Sequence, residues 1–330
     1  MKLAIAVLCA IAGLAAWTLA TPYQGFKTET YVEIARGTGT AGIARELAEQ
    51  GVIRYAWELE LVRLIRRSTK LQAGEYRFAK AASALEVFDR IARGDIYYLE
   101  FTVPEGSNIF DIGRALEEQG VMSADAFLAA AEDPAMIRDL APSARTLEGY
   151  LFPSTYRLSH ATSAAKLTKI MTDEFRRQWA KLSAQDADVR STVTLASLVE
   201  KETAAAEERP LIASVFRNRL AEGMRLECDP TTIYAALLEN RYQGTIHRSD
   251  LSSRNPYNTY QNAGLPPGPI ANPGAQSLAA AIAPADTKFL FFVAKPGGGG
   301  HQFSATMAQH AKAVVAYRQA FKHAAQRKIR

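Results

Sequence analysis

The sequence predicts an α+β protein that begins with a membrane-spanning helix. Three observations predict it: an uncharged apolar run over residues 3–20, two related strand-turn-helix words near residues 31–52 and 99–121, and a C-terminal half in which helical periods surround a proline-rich loop and one late strand. A chain of 330 residues is long enough for roughly two or three domains with sizeable cores. With 48% hydrophobic and 22% charged residues, its composition sets aside disordered and fibrous classes.

The run Leu3 to Ala20 carries no charge and follows Lys2. Its length is just enough to cross a bilayer as a helix. Lys2 and the amino terminus are its only flanking positive charges, which keeps the N-terminus cytoplasmic and sends the remainder outward. Thr18-Leu19-Ala20 could pass for a signal-peptide cleavage site, yet the run exceeds the usual signal core, so an uncleaved anchor is expected. Leu8 precedes Cys9, where a lipoprotein signal needs a small residue, and lipidation is not expected. Cys9 and Cys228 are the only cysteines and lie far apart, which supplies neither a disulfide framework nor a metal site. The net charge of +5 comes without a long basic block, which argues against a nucleic-acid partner.

The repeat comes next. Residues 36–52 align with residues 105–121, matching Gly37 with Gly106, Ile43 with Ile112, Arg45 with Arg114, Leu47 with Leu116, and Gln50-Gly51-Val52 with Gln119-Gly120-Val121. Each copy opens on a strand (Tyr31 to Ile34; Leu99 to Val103), turns at glycine, and runs into an amphipathic helix stopped by Gly51 or Gly120. Between the copies, Ala56 to Ser68 reads as a helix, Leu71 to Phe78 as a strand and Ser83 to Arg93 as a helix. The second copy, F-T-V-P-E-G-S-N-I-F-D-I-G, resembles the opening of a LysM module, a small fold that binds N-acetylglucosamine polymers.

In T-L-E-G-Y-L-F-P-S-T-Y, the even spacing of Tyr150, Phe152 and Tyr156 suits a strand or extended segment, and Pro153 blocks a helix. Glu148 reads either as an active-site carboxylate or as a turn carboxylate that caps local N–H groups.

The stretch T-V-T-L-A-S-L-V-E-K-E-T (Thr192 to Thr203) places acids in an otherwise apolar helix. At about 100° per residue, Leu195, Leu198 and Glu202 share one side, while Val193, Ala196, Ser197 and Glu200 share the other. A carboxylic acid held among apolar neighbours resists ionising and suits a general acid, so Glu200 is the candidate; the competing expectation is a solvated helix glutamate. Pro210 opens the next helix, which Gly223 closes, and Asp229 or Thr231 is the expected N-cap of the one after. Residues 253–274 follow no period. Their prolines stiffen a loop whose Tyr257 and Tyr260 rings, and Asn255, Asn258, Gln261 and Asn262 amides, suit a chain-like sugar ligand. Phe289 to Ala294 reads as a strand, and a last helix is expected through Ala316. The Gly297–Gly300 run lacks the context of a phosphate loop. His301, beside it, could assist at the site or be incidental.

L-A-S-L-V-E-K-E-T, A-S-V-F-R-N-R-L-A-E-G-M-R-L-E-C-D-P-T-T-I-Y, Y-N-T-Y, G-L-P-P-G-P-I-A-N-P-G and H-Q-F-S together resemble the MltG (YceG-like) family of membrane-anchored endolytic murein transglycosylases, over essentially the whole chain. The resemblance implies an anchor over 1–22, a periplasmic α/β subdomain over 23–98, a LysM-like subdomain over 99–140 and a mixed α+β catalytic domain over 141–330. It implies Glu200 as the essential acid. Substrate contacts are expected at Glu148, Tyr150, Glu227, Asp229, Tyr257, Asn258, Tyr260 and Asn272. Glu227 stands where relatives often carry glutamine, and Ser154 where many carry aspartate. The implied reaction cuts the β-1,4 bond between N-acetylmuramic acid and N-acetylglucosamine and leaves a 1,6-anhydro end, which terminates nascent strands. No metal or organic cofactor is implied. The implied partners are peptidoglycan glycan strands, the inner membrane and the penicillin-binding protein synthases. Two alternatives stay open: a non-catalytic anchored peptidoglycan-binding scaffold, and a pyridoxal-phosphate lyase using Lys201, which points about 100° off the Glu200 face.

Overall fold

The computed structural model describes residues 1–182 and 187–328. It is a mixed α+β fold in two compact units, one of residues 1–100 with 157–161, the other of residues 101–156 with 162 onward.

The first unit starts with α1 (Lys2–Ala20), a 19-residue helix whose most apolar 18 residues have a mean hydropathy of 2.3, long and apolar enough to cross a membrane. Most of its side chains are exposed, but Leu19 joins the unit's core. After it come β1 (Thr30–Ile34), α2 (Thr40–Glu49), α3 (Ala56–Ile65), β2 (Gly74–Phe78) and α4 (Ala84–Arg93). β1 and β2 pair antiparallel, Thr30 opposite Phe78 and Ile34 opposite Gly74. Val32, Leu47, Leu59, Tyr76, Val87, Phe88 and Ile91 fill the core beneath them. α4 begins with a full capping box: Ser83 accepts from the Glu86 N–H while Glu86 accepts from the Ser83 N–H. α3 stops three residues short of the expected end, because the Arg63 guanidinium turns to the Arg66 and Thr69 carbonyls and closes the chain there.

β3 (Leu99–Thr102) opens the second repeat copy, followed by α5 (Ile109–Glu118) and α6 (Ala124–Ala131). α2 and α5, the repeat helices, are both ten residues long, and Gly51 and Gly120 take φ of +69° and +68° just past their ends, the left-handed stop that only glycine adopts without strain. β4 (Thr155–Leu158) pairs with β3. Of the three evenly spaced aromatics only Tyr156 lies in a strand. Tyr150 sits in a turn, its ring edge-on to Phe175 at 5.3 Å. The Gly149 and Leu151 N–H groups here donate to a distant side chain, Asn272, rather than to a neighbouring strand, so alternation was driven by burial and not by a sheet.

α7 (Ala164–Lys181), α8 (Val189–Glu202), α9 (Arg209–Ala221), α10 (Asp229–Leu238), α11 (Arg248–Leu251) and α12 (Ala275–Ile282) make the body of the second unit. Leu195, Leu198 and Val199 of α8 pack on Ile212, Ala213 and Phe216 of α9, with Leu226, Tyr234 and Ile270 closing the core. Cys228, not Asp229 or Thr231, occupies the N-cap of α10; Asp229 and Pro230 form its first turn, and the Thr231 hydroxyl donates to the Cys228 carbonyl. β5 (Phe291–Ala294) and β6 (His301–Ser304) pair antiparallel, so the glycine run is their connecting turn. α13 (Met307–Lys328) runs past the expected end at Ala316.

Candidate functional site

α8 starts where Asp188 accepts from the Ser191 N–H at 2.8 Å and ends at Glu202. Its leucine side is sealed in the core, and the two glutamates near its C-terminus diverge as the helical period requires. The Glu200 side chain is only 5% exposed. Its surroundings differ from the expected apolar neighbours: Oε1 accepts from Arg209 Nη2 at 3.2 Å, and Oε2 accepts from the Gly274 N–H at 2.9 Å. Gly274 ends the proline-stiffened loop and is the N-cap of α12, so the carboxylate meets both a guanidinium and the positive end of a helix. Glu202 turns the other way and accepts from the buried Cys228 thiol at 3.1 Å. Burial pushes the Glu202 carboxyl up, partly offset by that thiol.

Arg209 is the hub, with an 8% exposed side chain. Its Nη1 donates to Gln276 Oε1 of α12, and the same Nη2 that serves Glu200 lies 3.5 Å from Glu105 Oε2. Glu105 is half-exposed and sits in the turn after β3. That turn is clamped: the Gly106 N–H donates to the Asn272 carbonyl, the Asn272 N–H to the Ser107 carbonyl, and Lys201 Nζ to the Gly106 carbonyl at 3.0 Å. Gly106 takes φ +77°, and a Cβ there would lie 3.5 Å from Glu200 Cγ. The Glu105 carboxylate hangs directly over Gly274, where any Cβ would collide with it. Burial and then the Glu200 charge push the Glu105 carboxyl up, against the pull of Arg209. His301 contributes one step away. Its Nδ1 is 2.7 Å from Glu208 Oε2 and its N–H donates to Glu208 Oε1, fixing the residue that precedes Arg209.

Four of the residues expected to contact substrate are buried in the fold. Glu148 is 2% exposed and accepts from the Ile109 N–H, the Tyr234 hydroxyl and Asn272 Nδ2, at 3.0 to 3.1 Å. These hydrogen-bond partners are distant in sequence, and burial pushes its carboxyl up to about 8. Asn272 is fully buried, its Oδ1 taken by the Gly149 and Leu151 N–H groups and its Nδ2 by Ser107 and Glu148. Asn258 is also fully buried; Nδ2 donates to the carbonyls of Asp250, Leu251 and Ser253, and Oδ1 accepts from the Tyr260 N–H. Tyr150 is 1% exposed. Loop amides have to satisfy the loop's own backbone when it folds onto a core, and that demand consumes them.

Glu227, Asp229 and Tyr260 do lie together. With Glu202, Cys228, Arg219 and His310 they line a cavity of about 290 Å³. The Tyr260 hydroxyl donates to Asp229 Oδ1 at 2.6 Å, and Glu227, at φ +51°, pairs with Arg219 at 3.3 Å. Tyr257 is partly buried against Tyr234, ring centroids 5.1 Å apart. Among the described residues, no three His, Cys, Asp or Glu side chains converge as a metal site.

Glu105, Arg209, Gly274 and Gln276 were missed from the sequence. Arg209 reads there only as the residue before a helix-starting proline. The one available signal was in the repeat, whose two copies carry Arg36 and Glu105 at the same turn position.

Known proteins resemble this chain. An endolytic murein transglycosylase of Bacillus subtilis strain 168 is 32% identical over 88% of this chain and 85% of its own length. A second, from Streptococcus pneumoniae serotype 2 strain D39, is 28% identical over 86% of this chain and 57% of its own. A crystal structure of a yceG-like protein from Listeria monocytogenes matches 87% of this chain and 99% of its own, at 31% identity and a TM-score of 0.58. The sequence profile of the YceG-like family matches residues 32–316, and the chain belongs to that family.

Proposed function

We propose that this chain is a membrane-anchored endolytic lytic transglycosylase of murein, with Glu200 as both its acid and its base. The observation that carries this is the placement of Glu200: nearly excluded from solvent, and held by Arg209 and the Gly274 N–H at the end of the proline-stiffened loop. The names of the relatives support the substrate.

Ordinary glycosidases need two carboxylates, one to protonate the leaving oxygen and one to attack or to activate water. Here the nucleophile is internal to the sugar. Glu200 gives its proton to the glycosidic oxygen as the bond to C1 of N-acetylmuramic acid breaks, freeing the 4-hydroxyl of N-acetylglucosamine. The C6 hydroxyl oxygen of the same muramic residue bonds to C1, and its proton goes to the Glu200 carboxylate, which restores the acid without consuming water. Proximity of C6 to C1 supplies much of the acceleration. Arg209 and Gly274 stabilise Glu200 in its interval as an anion.

The cavity bordered by Glu227, Asp229 and Tyr260 is placed here as a substrate contact, and the LysM-like segment over 99–140 as a glycan-holding accessory to the chemistry of 141–330. α1 anchors the chain in the inner membrane with its N-terminus cytoplasmic, so that cutting takes place on the periplasmic side, beside the penicillin-binding synthases whose strands it ends.

The test is Glu200→Gln in the full chain, digested against nascent glycan strands and weighed by mass spectrometry. The variant is expected to fold and to retain glycan while releasing no anhydro-muropeptides. Near-normal product would sink the enzymatic role of Glu200, and product from neither protein would leave an anchored, non-catalytic peptidoglycan-binding scaffold.

A further inference from the structure

Glu200 has to hold a proton before it can donate one, yet its two partners both suit the carboxylate. Arg209 brings a full charge to 3.2 Å, and the N-terminus of the eight-residue α12 brings a backbone donor to 2.9 Å. Something must weaken that hold. The only other anion against the guanidinium, among the described residues, is Glu105, 3.5 Å from the same Nη2.

We propose that Glu105 is a positioning residue for Glu200: it competes for Arg209 through the shared Nη2, so that one guanidinium serves two carboxylates and a proton is retained between them for delivery to the sugar. This rests on the role proposed for Glu200. Three features of the fold hold the arrangement. The Glu105 turn is clamped by Asn272 and Lys201 on either side. Gly274 has no side chain, and the space left is filled by the Glu105 carboxylate. Arg209 is buried and cannot swing into water, and its Nε has no partner. Two carboxylates that share one guanidinium nitrogen oppose each other's ionisation through like charge. The upward push on the Glu105 carboxyl by burial and by Glu200 agrees with this.

The charged groups facing the pair are few. α8 supplies Glu200 and Lys201, whose ammonium is committed to the Gly106 carbonyl. α9 supplies Arg209. The adjoining Glu208 is turned to His301 and Thr203, and α12 contributes the neutral Gln276.

The experiment is the pH profile of kcat/KM for strand cleavage by the full-length protein in nanodiscs, comparing wild type, Glu105→Gln and Glu200→Gln. Removing one of two like charges lets the remaining carboxyl lose its proton at lower pH. Glu105→Gln is expected to turn over more slowly, with the alkaline limb moved to lower pH by roughly one unit, the coupling at which two groups titrate as a pair. A lower rate with an unmoved limb means that Glu105 is merely structural, and overturns the proposal. If Glu105→Gln turns over too slowly to profile, the 13C carboxyl resonance of Glu200, titrated in wild type and variant, decides the matter: a moved midpoint supports the coupling and an identical one overturns it. Turnover by Glu200→Gln would instead sink the parent role of Glu200, so the two failures are distinct.

Discussion

Changing Glu148 to glutamine should make the stability of the second unit depend on pH in a new way. Glu148 is fully enclosed, and burial raises its carboxyl to about 8 against the donors from Ile109 and Tyr234. The reference value is 4.5, so between pH 4.5 and about 8 the folded protein keeps a proton that the unfolded chain gives up. The folded state binds more protons in that window. Stability linked to Glu148 is therefore fully present below pH 4.5 and is lost as pH rises toward 8. At about 1.36 kcal/mol per unit, the loss over the whole window is on the order of 5 kcal/mol. Glutamine cannot ionise, and its penalty is of another kind. Its Nε2 would face Asn272 Nδ2, and Asn272 cannot turn over because its Oδ1 serves Gly149 and Leu151. That mismatch costs about 1–3 kcal/mol at any pH. Glu148→Gln should thus be the less stable protein at pH 5, and should gain on wild type by about 4 kcal/mol by pH 8. Denaturation at pH 5, 6.5 and 8 would be followed through Trp179 of α7, with Trp17 and Trp57 replaced by phenylalanine. A stability difference that stays constant within about 1 kcal/mol across these pH values refutes the linkage.

Three further outcomes are expected. Gly274→Ala keeps an allowed backbone (φ −76°, ψ 170°) but drives the Glu105 carboxylate from its place, so cleavage should fall while Tm, read by circular dichroism, moves by only a few degrees. Asn272→Ala strands the Gly149 and Leu151 N–H groups at about 1–3 kcal/mol each, and should lower Tm by roughly 5–15 °C in the same measurement. Cys228 is buried, and burial raises its thiol well above the usual range; it should resist a thiol reagent in the native protein and label only once denaturant opens the second unit.

The sequence by itself determined whatever depends on neighbours along the chain. Composition makes α1 an apolar helix long enough to cross a membrane, because an uncharged run of that length is legible without any knowledge of packing. The repeat fixes two ten-residue helices stopped at Gly51 and Gly120, since a left-handed stop is a local backbone requirement. The 100° step sends Glu200 and Glu202 apart before any packing is known. The company that each glutamate keeps was decided only by tertiary structure. Glu200 expected small apolar neighbours and met Arg209 and Gly274, the latter 74 residues away. The Asn258 amide looked free for a ligand and Asn272 was an expected substrate contact, yet folding turned both inward to satisfy backbone groups, in one case 123 residues distant. Glu105 became part of the site only because the turn after β3 is pinned beside the start of α12. A helical period says which way a side chain points; the charge that waits there is set by segments far along the chain, which only the folded core brings together.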